Sequence, residues 1–279
     1  MLDIRKSIVV RLAGGLGNQL FQFGMALLLS SKETHKVIVL DDYALSTYKA
    51  NRSFELSRFI DFSRSDIQII LQRRLLTKLR IPRILTFKSH LSPFVSDNNF
   101  IFLIDFKKSQ YRFLDGYFQN LRQRDFDGIV ALLKLLSFNR LTKSISSDCE
   151  ACVIHIRGGD FVGLGWNQTT SRQYYMDAMN VMHDRYKVKR FLLVTDDKNY
   201  AKNLISSTNF NIEILSNSID EDFWTIASYS KRILSASTFS LWASALGRNY
   251  AGGVVIAPKY FTPTIKRNFS LQNEVVIPP

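Results

Sequence analysis

Between residues 151 and 256, five short apolar runs (151–156, 190–195, 211–215, 232–235 and 253–256) alternate with stretches of helical periodicity at 171–186, 198–206, 220–230 and 240–246. This alternation leaves little choice of architecture. A parallel neighbour is reached only by a crossover, so the helices must cover both faces of a parallel sheet, giving a doubly wound α/β domain. Ligands of such sheets sit beyond the carboxyl ends of the strands. Three of those ends carry polar residues: Arg157 to Asp160, Asp196 with Asp197, and Ser-Ala-Ser-Thr-Phe-Ser at 235–240. Together they outline one site.

The first of these ends has the sharpest pattern. His155 and Arg157 are two apart and share a strand face, while Ile154 and Ile156 point the other way. Gly158 and Gly159 then allow a tight turn before Asp160. An arginine at a buried strand end needs an anion, which is either a neighbouring carboxylate or a ligand.

The first half opens as another βαβ unit: a strand at 7–12, a glycine loop at 13–18, an apolar helix through Leu29 and a strand at 36–41. The loop suits an anion or a closely approaching sugar. It is not a phosphate loop of the Gly-Lys-Ser/Thr type, and Leu20 stands where a dinucleotide fingerprint has its third glycine. Residues 66–80 show helical spacing ended by Pro82, and 67–96 contain six Lys or Arg and no acidic residue. That stretch predicts a basic amphipathic helix, packed on the core or drawn to anionic lipid through residues 73–83. A strand at 100–106 and a run at 111–114 lead into Asp115-Gly-Tyr-Phe-Gln-Asn120, whose aromatics and amides suit a sugar platform or a core. A helix at 125–137 precedes a polar connection at 139–148, which predicts domains at 1–145 and 146–279.

A formal charge of +13 favours anionic partners, but no nucleic-acid motif is present and the basic residues are not interleaved with aromatics. No run approaches eighteen apolar residues, which predicts a cytoplasmic protein, peripheral on the inner membrane if the basic helix engages lipid. Cys149 and Cys152 read as reduced structural thiols, since a zinc site needs two further ligands. The pairs Asp125-x-Asp127 and Asp220-x-Asp222 read as solvated carboxylates, the second at a helix start, so no metal is expected.

Five blocks in order, Gly14-Gly-Leu-Gly-Asn-Gln-Leu-Phe-Gln22, Gly116-Tyr-Phe-Gln119, His155-Ile-Arg157 with Asp160, Thr195-Asp-Asp197 and Ser237-Thr-Phe-Ser-x-Trp242, resemble the bacterial α-1,2-fucosyltransferases. The resemblance implies a GT-B arrangement of two Rossmann-like domains with parallel sheets facing a cleft, the first on the acceptor side and the second binding the nucleotide sugar. It implies GDP-fucose as donor, no cofactor or metal, and inverting α-1,2 transfer to a galactose-type acceptor, a lipid-linked oligosaccharide of O-antigen or capsule. By the same resemblance Arg157, His155 and Asp160 are catalytic, and Gly15, Gly17, Asn18, Gln19, Asp196, Ser237, Thr238 and Phe239 bind the donor. The general base is Asp160 or, second, Asp115. The family commonly has a second arginine where this chain has Gly158. Another GDP-sugar donor, or a non-catalytic anion-binding protein, is the alternative.

Overall fold

In the computed structural model β1 (Lys6–Arg11) runs into the glycine loop and α1 (Leu16–Lys32), and the chain returns as β2 (Val37–Asp41), parallel to β1 with Ser7 opposite Val37. The structure describes residues 6–32, 37–42, 44–45, 52–71, 100–106, 109–137, 150–206, 208–215, 217–247, 253–275 and 277. Contacts divide the chain into two units, Met1–Phe138 and Asn139–Pro279.

In unit 1, α1 is apolar nearly all round because it is covered nearly all round, by β1 and β2 and by α2 (Gln123–Leu136). The helices approach closely at Gly24, where a Cβ would lie 2.2 Å from Ile129 Cγ2. Asp125, in the first turn of α2, is buried rather than solvated: Arg122 Nε lies 2.9 Å away and Lys32 Nζ 3.4 Å away, and the helix N-terminus adds its own attraction.

The expected helix over 66–80 is corrected at its start. Gln68–Leu71 is a strand, β3, parallel to β2. Ile69 and Ile70 are β-branched and suited to pairing beside β2, and a short apolar run carries no period strong enough to separate helix from strand. The basic residues between 73 and 83, with the membrane reading placed on them, lie outside the described residues. Next, β4 (Phe100–Phe106) pairs antiparallel with β5 (Ser109–Asp115), and β5 pairs parallel with β1. The order β3-β2-β1-β5-β4 is therefore parallel except at the β4 edge. From β1 the chain builds outward through β2 and β3, then returns to the other side of β1, so the β1/β5 boundary is a topological switch point.

Unit 2 follows the expected alternation closely. β6 (Ala151–Ile156) leads through α3 (Asp160–Gly163), a 3₁₀ turn at Trp166–Thr170 and α4 (Arg172–Tyr186) to β7 (Arg190–Thr195). Then come α5 (Lys198–Leu204), β8 (Asn211–Ile214), α6 (Ile219–Ser228), β9 (Lys231–Ile233), α7 (Thr238–Leu246), β10 (Val254–Ile256) and β11 (Glu274–Val275). All pairs are parallel in the order β11-β10-β9-β6-β7-β8, with the switch point between β6 and β9. Every residue of β6 is buried, as a central strand covered on both faces requires. Its Cys152, Ile154 and Ile156 pack with Tyr175, Met179, Met182 and Phe191, and burial raises the Cys152 thiol far above its usual range. Arg232 of β9 is also buried, yet its guanidinium is spent on carbonyls: Nη2 donates to Ala227 at 2.8 Å and Nη1 to Ser244 at 3.0 Å. It ties the ends of α6 and α7 together. Among the described residues, no helix is long and apolar enough to cross a membrane.

Candidate active site

At the switch point of unit 2, the end of β6 lies beside the turn that follows β9. His155 is buried, its Nδ1 sharing a hydrogen bond of 2.7 Å with Ser235 Oγ, and its ring lies 5.8 Å from that of Phe239. Burial, reinforced by the nearby Arg157 charge, pushes its pKa down to about 3. His155 is thus neutral at physiological pH, a group that joins the two sides of the switch point.

Arg157 emerges from that strand into a cage of carboxylates. Its Nη2 donates to Asp160 Oδ1 and its Nη1 pairs with Asp196 Oδ2, each at 2.6 Å, and its guanidinium lies 5.5 Å over the Phe161 ring. Nε is buried without an acceptor among the described residues. Asp196 also accepts from the Gly158 N–H at 2.8 Å, so one carboxylate holds both the arginine and the turn that carries it. The two glycines are required by this closeness. A Cβ on Gly158 would lie 2.5 Å from Asp197 Cβ, and Gly159 has φ +47° with its Cβ position 2.9 Å from Asp196 Oδ2. A residue with a side chain at 158 has no room in this arrangement.

Opposite this turn, Ser237 caps α7, accepting from the Phe239 N–H at 3.3 Å, and Thr238 and Phe239 open the helix. N–H groups and partial positive charge at such an end suit a phosphate oxygen. Asp197 caps α5 through the Tyr200 N–H and so serves structure. The expectation that Asp222 is solvated is corrected: in the first turn of α6 it is half-buried, and its pKa is raised to about 6, by desolvation first, then by Glu221 and Asp196, although Asn217 opposes the shift. The charge of Asp196, at the end of β7, adds to that rise. The helix start expected at Asp220 is present, closed by a capping box between Ser218 and Glu221.

The other predicted donor residues belong to unit 1. Gln19 is buried and fastens the loop, donating to Gly14 O and Ser53 O and accepting from Glu55 N–H. The Leu16 N–H at the start of α1 donates to Glu55 Oε2 at 2.9 Å, so a carboxylate of the chain already occupies that helix start. Gly17 lies inside the first turn of α1, Gly15 faces open space, and Asn18 Oδ1 accepts from Gln119 Nε2. The structure thus brings His155, Arg157, Asp160, Asp196, Ser237, Thr238 and Phe239 together in unit 2, while Gly15, Gly17, Asn18 and Gln19 form a second cluster in unit 1.

Two α/β units, each built on a mostly parallel sheet with its own switch point, have the GT-B type of fold. Solved structures agree: the fucosyltransferase NodZ from Bradyrhizobium superposes with TM-score 0.54 at 12% identity over 87% of this chain and 93% of its own. POFUT1 in complex with GDP-fucose superposes with TM-score 0.55 at 12% identity over 92% and 99%. Two Escherichia coli proteins are similar over nearly their whole length: an alpha-1,2-colitosyltransferase, 26% identical over 93% of each chain, and the O-antigen biosynthesis glycosyltransferase WbnK, 25% identical over 94% and 97%. A profile described as glycosyl transferase family 11 matches residues 7–269, and the chain belongs to that family.

Proposed function

We propose that the chain moves L-fucose from GDP-fucose to the 2-hydroxyl of a galactose-type sugar, inverting the anomeric centre, during synthesis of a bacterial O-antigen or capsule. The observation that carries this reading is Arg157, caged at the unit 2 switch point across from the α7 N-terminus. Transfer breaks the bond from C1 to the β-phosphate oxygen as the acceptor oxygen bonds to C1. The departing electron pair stays on GDP and the hydroxyl proton passes to a carboxylate. Negative charge therefore grows on the β-phosphate, and donors already aimed at it lower the barrier most. Arg157 has N–H groups beyond its two carboxylate contacts, Nε among them, and the α7 N–H groups share the load.

In this reading Asp160 and Asp196 position the guanidinium, and neutral His155 holds the Ser235 turn. Asp196 stays on the donor side at the end of β7, with Asp222 as a second carboxylate near it. Arg157 supplies the cation, so the reading requires no metal. The acceptor is a lipid-linked oligosaccharide met at the cytoplasmic face of the inner membrane, in line with the O-antigen role in the name of one relative. A second donor is favoured by one comparison: the colitosyltransferase relative makes a colitosyl donor the alternative to fucose.

The test is GDP release from GDP-fucose with β-galactoside acceptors, followed by linkage analysis. The chain is expected to produce an α-1,2 fucoside, with EDTA without effect, and Arg157→Ala is expected to lose two or more orders of magnitude in turnover, as when a donor to the developing anion is removed (about 10²–10³). Failure to bind GDP, or near-normal turnover in Arg157→Ala, would refute it.

A further inference from the structure

The switch point of unit 1 carries a construction of its own. Arg11 and Asp115 are the last residues of β1 and β5, adjacent strands between which the order reverses, where ligands of open α/β sheets are held. Arg11 Nη1 donates to Asp115 Oδ2 at 2.5 Å, and the two side chains remain 34% and 39% exposed. Both strands then turn sharply away, at Gly14 (φ +78°) and Gly116 (φ +146°). Gln22, buried in α1, accepts from the Ala13 N–H and donates to the Gly116 carbonyl, each at 3.0 Å, locking the two turns to one another. Gln119 to Asn18, at 2.9 Å, joins them again further out. Tyr117, directly after the second turn, is 39% exposed.

The chemistry of these strand ends suits a sugar better than a phosphate. Its helix start is already occupied by the Glu55 carboxylate, and Asp115 adds a second acidic group. Exposed at these strand ends are a carboxylate acceptor, a guanidinium donor and, one residue past the second turn, an aromatic ring, the set that holds a polyhydroxylated ring with one apolar face. Burial raises the Asp115 pKa in spite of Arg11, since the carboxylate is kept partly out of water. We infer that Arg11 and Asp115 form the acceptor subsite, with the hydroxyls of a neutral pyranose on the ion pair and its apolar face against Tyr117. This rests on the transferase reading above, and it takes from that reading only that an acceptor sugar exists.

The experiment uses the full chain, GDP-fucose and methyl β-D-galactopyranoside. Asp115→Asn and Tyr117→Ala are each expected to raise the acceptor KM about tenfold or more, the loss of one good hydrogen bond or stacking contact, while the Kd for GDP stays within about twofold of wild type. In saturation-transfer NMR the glycoside is expected to receive magnetisation from wild type and to lose most of it in Tyr117→Ala. A strand-end brace with no ligand would instead lower the melting temperature and leave the acceptor KM within about twofold, and that result overturns the inference. If Asp115→Asn fails to fold, Tyr117→Ala decides alone, since its ring is exposed. Wild type that binds no GDP would count against the transferase reading, whereas GDP binding with an unmoved acceptor KM counts against this subsite.

Discussion

Replacing His155 by Gln is expected to remove a pH dependence that the buried ring imposes on unit 2. The imidazole titrates near its ordinary 6.5 in the unfolded chain and at about 3 in the folded unit. Between these values the unfolded state binds the extra proton, so stability falls as pH drops from about 6.5 toward about 3. At pH 7 the effect is close to zero. At pH 5 the unfolded imidazole is favoured about thirtyfold by its proton, which corresponds to about 2 kcal/mol of lost stability. Asp222 works in the opposite direction: its pKa is raised on folding, so acidification through that range stabilises the unit. Wild type alone would therefore show a sum of opposing contributions. Comparison with His155→Gln cancels Asp222 and every other carboxylate. The three tryptophans, Trp166, Trp224 and Trp242, all lie in unit 2, so urea unfolding followed by their fluorescence reads this unit. The expected result is that wild type loses about 2 kcal/mol more than His155→Gln between pH 7 and pH 5. Parallel losses in the two proteins would show that His155 is solvated, and the neutral strap joining β6 to the Ser235 turn would be wrong.

Two further outcomes follow from the same strand ends. Gly158→Ala places a Cβ 2.5 Å from Asp197 Cβ and 3.1 Å from Tyr200 Cδ1, and is expected to cost about 1–3 kcal/mol of stability by overpacking, while Gly158→Arg gains no GDP affinity; calorimetry and GDP titration check both. The Asp222 carboxyl, titrating at about 6, is expected to give the donor kcat/KM an inflection near that pH, and a profile unchanged in Asp222→Asn would remove it from the donor side.

Much of unit 2 was legible because alternating strand and helix periods are a local property, and β6 and β7 lie at 151–156 and 190–195 as expected. The misread segment was the short run at 68–71, where Ile69, Ile70 and Leu71 satisfy helical and strand spacing alike and pairing with β2 decided. The antiparallel β4 is of the same kind, since an apolar strand carries no mark of its neighbour's direction. Around the site, Arg157, Ser237 and Thr238 could be named because polar residues at the end of an apolar strand are conspicuous in one dimension. The cage around Arg157 could not, since Asp196 lies thirty-nine residues further along and meets it only through the parallel pairing of β6 with β7.

The sequence by itself determined the class of fold, the order of its elements and the residues available for chemistry, because hydrophobic period and turn residues act over a few positions. Only the tertiary structure decided what those residues do. It neutralised His155 by burial, set Asp160 and Asp196 on Arg157, filled the α1 start with Glu55, and denied Gly158 a side chain by bringing Asp197 against it. Each of these depends on charge, water and space shared between segments far apart in the chain, and those are fixed only when the strands take their places in the sheet.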